Sequence, residues 1–198
     1  MHILELQVPV ELFRPATAEP RSTGLHVSDV IRDIDNKVIN VGKRGPAVTP
    51  AELARMGPYV LGGFAWEEII RDALVRMYPA SNPDRFQPAG ELKLDGLIGS
   101  PDWLNMEEWV LEEFKSTWKS SRGGVTPDRF WSWFVQIQAY CKMLKVLRAN
   151  LRVFFVNGDY RSSGPQVKMY RLEFDQAELD QNWDMLIKHA KEMGWLAT

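Results

Sequence analysis

Hydrophobic and polar positions change period along the chain, and the changes divide it into elements. Residues 28–39 place Val30, Ile31, Ile34, Val38 and Ile39 at helical spacing, with Ser28 reading as the N-cap. Before them, Pro9, Pro15, Pro20 and Gly24 break any helix, leaving room for a short strand over residues 4–10. Thr49-Pro50-Ala51-Glu52 has the form of a capping box, and an amphipathic helix over residues 59–77 follows it. The pattern then shortens to alternation. Three short strands are expected across residues 92–117, the last over 109–117, followed by a Gly-Ser-Arg loop at 120–124. Thr126-Pro127 opens a helix to about residue 147. Residues 151–156 and 167–174 read as two strands, and Asp175 with Glu178 caps a last helix to about Met193. Leu179, Trp183, Leu186 and Ile187 give that helix a packing face. The expected fold class is α/β (α+β): a small mixed central sheet flanked by helices.

Composition narrows the chemistry. The chain has 198 residues, 45% hydrophobic and 25% charged, which suits one globular domain. No run is long and apolar enough to span a bilayer, and the start Met1-His2-Ile3-Leu4-Glu5-Leu6 is unlike a signal peptide. An intracellular, cytoplasmic protein with no membrane partner is therefore expected. The single cysteine, Cys141, excludes an intrachain disulfide and a four-cysteine iron–sulfur cluster or zinc site, and reads as a small buried hydrophobe. With three scattered histidines, any metal site must draw on oxygen ligands, which favour magnesium, manganese or calcium.

Charge is unevenly spread. Residues 114–172 hold eleven Lys and Arg against Asp128 and Asp159, or +9; the remainder carries −11, for −2 overall. Such a basic segment fits a polyanionic partner, the alternative being a solvated basic surface.

The candidate chemistry lies in Gly99-Ser100-Pro101-Asp102, followed ten residues later by Glu113-Phe114-Lys115. Alternation on a strand puts Glu113 and Lys115 on one face and turns Glu112 and Phe114 to the other, towards packing. A turn carrying Asp102 beside that strand would join two carboxylates and a lysine, a set able to hold Mg²⁺ and act on a phosphodiester. Asp95, seven residues earlier, is an alternative carboxylate without the proline. On the following helix Trp133, Gln136 and Tyr140 share a side, beside an apolar stripe of Phe130, Phe134, Ile137, Cys141 and Leu144. Lys119, Arg122 and Arg129 are candidate phosphate contacts. Trp103, Trp118, Trp131 and Trp133 cluster near these motifs, as packing or as stacking surfaces for a splayed base.

Taken together, Pro101-Asp102, Glu113-Phe114-Lys115 and Gln136-x-x-x-Tyr140 resemble the signatures of the PD-(D/E)xK nuclease superfamily. The Gln-x-x-x-Tyr element points to its RecB-like branch, which includes the lambda-exonuclease-like phage-type exonucleases. The resemblance spans residues 59–174 as a nuclease core, with an irregular and helical extension at 1–58 and a closing helix at 175–198. It implies a restriction-endonuclease-like core and a DNA exonuclease using one or two Mg²⁺ or Mn²⁺ ions, without an iron–sulfur cluster. By the same likeness, Asp102, Glu113 and the Phe114 carbonyl would be metal ligands, Lys115 the catalytic lysine, and Gln136 and Tyr140 would help place DNA. Glu67, four residues after Gly63, would add a ligand, with Glu68 as its neighbour alternative. A nicking or structure-specific endonuclease on the same core, or a non-cutting DNA-binding recombination partner, are the rival readings. A homo-oligomer or a recombination protein would be the further partner.

Overall fold

The structure, a computed structural model, describes residues 22–39, 65, 66, 69, 76, 85–161 and 164–197. Strand β1 (Leu25–His26) runs directly into helix α1 (Val27–Ile34), which continues as a π-helical turn over Asp35–Ile39. Strands β2 (Phe86–Pro88), β3 (Leu92–Leu94), β4 (Leu97–Gly99), β5 (Trp103–Asn105) and β6 (Val110–Thr117) follow. Helix α2 (Pro127–Leu144), strands β7 (Arg148–Phe155) and β8 (Gln166–Glu173), and helix α3 (Gln176–Glu192) complete the described chain. This is a mixed α/β fold, as the hydrophobic pattern indicates. Ala65, Trp66, Ile69 and Arg76 are helical, within the span expected to be a helix. The expected strand at 4–10 and the capping box at Thr49 lie outside the described residues.

The strands divide between two sheets, where one was expected. The smaller has the order β1-β4-β3, and the larger the order β2-β5-β6-β7-β8. Pro101 stands between β4 and β5 and has no N–H to carry a ladder across that corner. The β3–β4 hairpin, turned at Asp95 and Gly96 with φ of 47° and 83°, pairs instead with β1. In the larger sheet only β6 and β7 run parallel, with Glu113 opposite Leu151 and Lys115 opposite Val153.

Two helix ends differ from expectation for local reasons. His26 is the N-cap of α1 in place of Ser28, because β1 pairing runs to His26↔Ile98 and the helix begins immediately after it. Helix α2 stops at Leu144 because Lys145 takes a left-handed conformation, φ 58°, with the Val146 N–H bonded to the Cys141 carbonyl at 3.0 Å. The capping box on α3 forms as read: Asp175 accepts from the Glu178 N–H, and the Glu178 side chain accepts from the Asp175 N–H.

Register sorts the β6 and β7 side chains onto two faces. Leu111, Ala149, Leu151, Val153 and Phe155 are fully buried in a core shared with Ile137, Ala139 and Cys141 of α2 and with Leu179, Trp183 and Leu186 of α3. On the opposite face Phe114 packs with Phe86 and Trp103, and the Trp66 and Phe154 rings stack at a centroid distance of 3.5 Å. Burial of the first face against helices supplies most of the driving force for the fold.

Candidate active site

Glu113 and Lys115 emerge from β6 toward α2, on the face that also builds the core. That placement buries ionisable groups, so their partners decide whether the arrangement is tolerable. The Lys115 ammonium donates to Glu113 Oε1 at 2.6 Å and to Gln136 Oε1 at 2.8 Å. The Gln136 amide in turn donates to the Tyr140 hydroxyl at 2.9 Å. Four side chains from a strand and a helix thus form one connected line. Burial works to pull the Lys115 pKa down, but the carboxylates of Glu113 and Asp102 outweigh it and hold it above the ordinary lysine value. Lys115 is therefore a cation here. The Tyr140 phenol is pushed up to about 12 by burial and by the Glu113 charge, and stays neutral. Burial and the same charge push the Cys141 thiol up to about 12, which makes it an inert core group.

Asp102 reaches the same place from the β4–β5 corner. Trp103 pairs with Glu112 in the antiparallel β5–β6 ladder, so one step further Asp102 stands opposite Glu113. Its Oδ2 accepts the Phe114 backbone N–H at 2.8 Å, which ties the corner to the strand beside Glu113. Gly99 makes that approach feasible: a Cβ there would lie 2.6 Å from Met143 Sδ and 3.0 Å from Tyr140 Cε1. The alternative carboxylate, Asp95, is held away from this site by the Trp183 indole N–H at 2.8 Å.

One atom in this group is unfinished. Glu113 is 1% exposed, and its Oε2 has no hydrogen-bond partner among the described residues. A buried carboxylate oxygen without a donor costs about 1–3 kcal/mol or more, so it calls for a cation. Glu113, Asp102 and the neighbouring Phe114 carbonyl form an all-oxygen donor set that fits Mg²⁺ or Mn²⁺. Among the described residues no three His, Cys, Asp or Glu side chains converge on one point, so this set is short of a full protein coordination shell. Glu67 and Glu68 lie outside the described residues.

The remaining residues singled out in the sequence sit on the loop after β6 and at the start of α2. Lys119 donates to the Arg129 carbonyl at 2.7 Å and lies over the Phe130 ring. Arg122 is exposed and stands 4.0 Å from Asp159. Arg129 points its guanidinium into the loop, donating to the carbonyls of Arg122, Gly124 and Ser120 at 2.7, 2.6 and 3.0 Å. A cavity of about 210 Å³ between α1 and α2, lined by Ser28, Ile31, Arg32, Asp35, Ser132, Trp133 and Gln136, opens beside the Lys115–Gln136 line. Sequence reading missed the α1 contribution to it; Ser28 and Arg32, one helical turn apart on the polar side of an amphipathic helix, were the available signal.

No family model and no curated protein matches the chain. Among solved structures, the fold is similar to that of SSO0001, at TM-score 0.52 and 11% identity over 86% of this chain and 78% of the other. An alkaline exonuclease from Laribacter hongkongensis overlays at TM-score 0.47 and 12% identity, over 93% of this chain and 84% of that one. A phage-related exonuclease from Haemophilus somnus 129PT overlays at TM-score 0.48 and 10% identity, over 96% and 93% respectively. At 11% identity the likeness to SSO0001 is one of fold.

Proposed function

We propose that this chain is a metal-dependent deoxyribonuclease, an exonuclease acting on linear DNA in phage-type recombination or DNA processing, built as one nuclease domain. The carrying observation is the buried Glu113 carboxylate with one oxygen bonded to Lys115 and the other without a donor among the described residues. Asp102, Glu113 and the Phe114 carbonyl would hold one or two Mg²⁺ or Mn²⁺ ions, with Glu67 as a further ligand. Bound there, such an ion supplies Lewis acidity toward a phosphoryl oxygen and a water acidified to react near neutral pH.

The chain's own residues do the rest. Lys115, cationic and fixed between Glu113 and Gln136, offers its charge to the phosphate oxygens as negative charge grows on them. Gln136 and Tyr140 hold that ammonium in place and form the inner wall against which a DNA strand would lie. The cavity lined by Ser28, Arg32, Ser132 and Trp133 opens next to Gln136. Lys119 and Arg122 would contact the phosphate backbone outside the site. Assignment to DNA rests on the resemblance of the three motifs, and the basic segment around them supports a polyanion.

End-labelled linear duplex and closed circular DNA, incubated with Mg²⁺, Mn²⁺ or EDTA beside the Lys115→Ala variant, test the reading. Metal-dependent loss of the linear substrate alone, abolished in the variant, is expected. Cutting of the circle makes it an endonuclease. DNA binding without cutting under either metal makes it a non-cutting recombination partner.

A further inference from the structure

The two loops at the carboxyl ends of the parallel strands β6 and β7 are knitted into one surface. The Ser121 N–H donates to the Gly158 carbonyl at 2.8 Å, and the Val156 N–H to the Thr117 carbonyl at 3.0 Å. The Trp118 carbonyl accepts from the Tyr160 hydroxyl and, at 3.4 Å, from the Asn157 amide. From beneath, Arg129 engages three loop carbonyls, and Lys168 donates to a fourth, that of Ser121, at 3.2 Å. Gly123 and Gly124, at φ of 74° and 60°, let the loop turn its carbonyls inward onto that guanidinium.

This scaffolding holds two large aromatic side chains in solvent. Trp118 is 48% exposed and Tyr160 61% exposed, and Tyr160 is kept at φ 62°, a conformation a tyrosine rarely adopts. Exposed Lys119 follows Trp118 in the chain, exposed Arg161 follows Tyr160, and exposed Arg122 lies on the same loop as Trp118, within the segment that carries eleven bases against two acids. Apolar docking to a protein would not call for such a charge excess. Aromatic faces interleaved with cations suit a strand whose bases are unpaired and whose backbone is anionic. Trp118 follows β6 directly, with Ser116 and Thr117 between it and Lys115, about 10 Å along the chain.

We propose that Trp118 and Tyr160 form a stacking platform for unpaired bases of single-stranded DNA, adjoining the cleavage site. Arg129 is the clamp that builds the platform, and does not itself contact phosphate. The choice of ligand rests on the nuclease reading above; the platform's binding does not need cutting.

The test is fluorescence anisotropy of a labelled 12-nucleotide oligo(dT) and of a duplex of equal length, both in EDTA, against the full chain. The double variant Trp118→Ala/Tyr160→Ala should bind the single strand at least about ten-fold more weakly, with duplex affinity changed less than about two-fold. Trp118→Phe, which keeps a ring, should lie between, and Trp195→Ala, an exposed tryptophan elsewhere, should match wild type. Arg129→Ala should lose single-strand affinity as the double variant does, with its helical circular dichroism retained. Equal single-strand binding by the double variant and wild type overturns the proposal, as does an equal loss on both substrates. Failure of the nuclease reading is visible separately: the wild-type chain would cut neither linear nor circular DNA with Mg²⁺ or Mn²⁺, whatever the oligonucleotide affinities are.

Discussion

Glu112 and Glu113 are neighbours on β6, both essentially buried, yet their surroundings differ in kind. Glu112 faces away from α2, and both its oxygens are engaged, Oε1 by the Asn150 amide at 2.7 Å and Oε2 by Arg152 Nε at 2.9 Å. Glu113 faces α2 and, among the described residues, has Lys115 on one oxygen and no donor on the other. Parallel pairing with β7 supplies the difference: Asn150 and Arg152 fall on the Glu112 face, whereas Leu151 and Val153 fall beside Glu113 and offer it nothing polar. One glutamate is a completed structural ion pair; the other keeps a lone pair in reserve beside a cation and a second carboxylate. Burial alone would not have told them apart.

Breaking the Glu113 side should have the largest effect. Glu113→Gln and Lys115→Ala should each lower phosphodiester cleavage about 10²–10³-fold or more, read as initial rates on labelled linear duplex. Breaking the Glu112 side should move stability: Glu112→Ala leaves Arg152 mostly buried and unpaired, at a cost of about 3–5 kcal/mol in urea unfolding. A Glu112→Leu/Arg152→Leu double variant should regain most of that loss, because both charges leave together. Gly99→Ala lies between the two, since its Cβ would press on Met143 and on Tyr140 behind Lys115. It should cost about 1–3 kcal/mol and also slow cleavage, measured by melting and by rate on one preparation.

The smallest effect concerns a pair away from β6. Asp33 accepts from His189 at 2.8 Å and pairs with Lys37 at 3.0 Å, joining α1 to α3. Burial works to raise its pKa, but these bonds and charges outweigh it and hold the carboxyl below the ordinary 3.8. Such a group stabilises the fold above its unfolded pKa, and the contribution is lost as pH falls through the folded value. Asp33→Asn should therefore melt lower than wild type at pH 7, by up to about 1 kcal/mol, with the gap closing as the pH is taken below about 4.

Much of this arrangement was legible in the order of residues. Alternation placed Glu113 and Lys115 together, helical spacing placed Gln136 over Tyr140, and Asp175 with Glu178 marked the start of α3. The partners of Glu112 were not legible, because they lie 38 and 40 residues away and depend on a parallel register no local pattern encodes. The same holds for Arg129. Its position in a basic loop suggests a phosphate contact, and only the folded loop, with two left-handed glycines, shows its donors turned onto carbonyls. Division into two sheets was equally hidden, since β1 is two residues long and finds β4 across some seventy residues.

The most direct test of the difference between the two glutamates is Mn²⁺ titration calorimetry on wild type, Glu113→Gln and Glu112→Gln, each shown to be folded by circular dichroism. The account predicts binding by wild type and Glu112→Gln, and its loss in Glu113→Gln. Undiminished Mn²⁺ binding by Glu113→Gln would contradict the account.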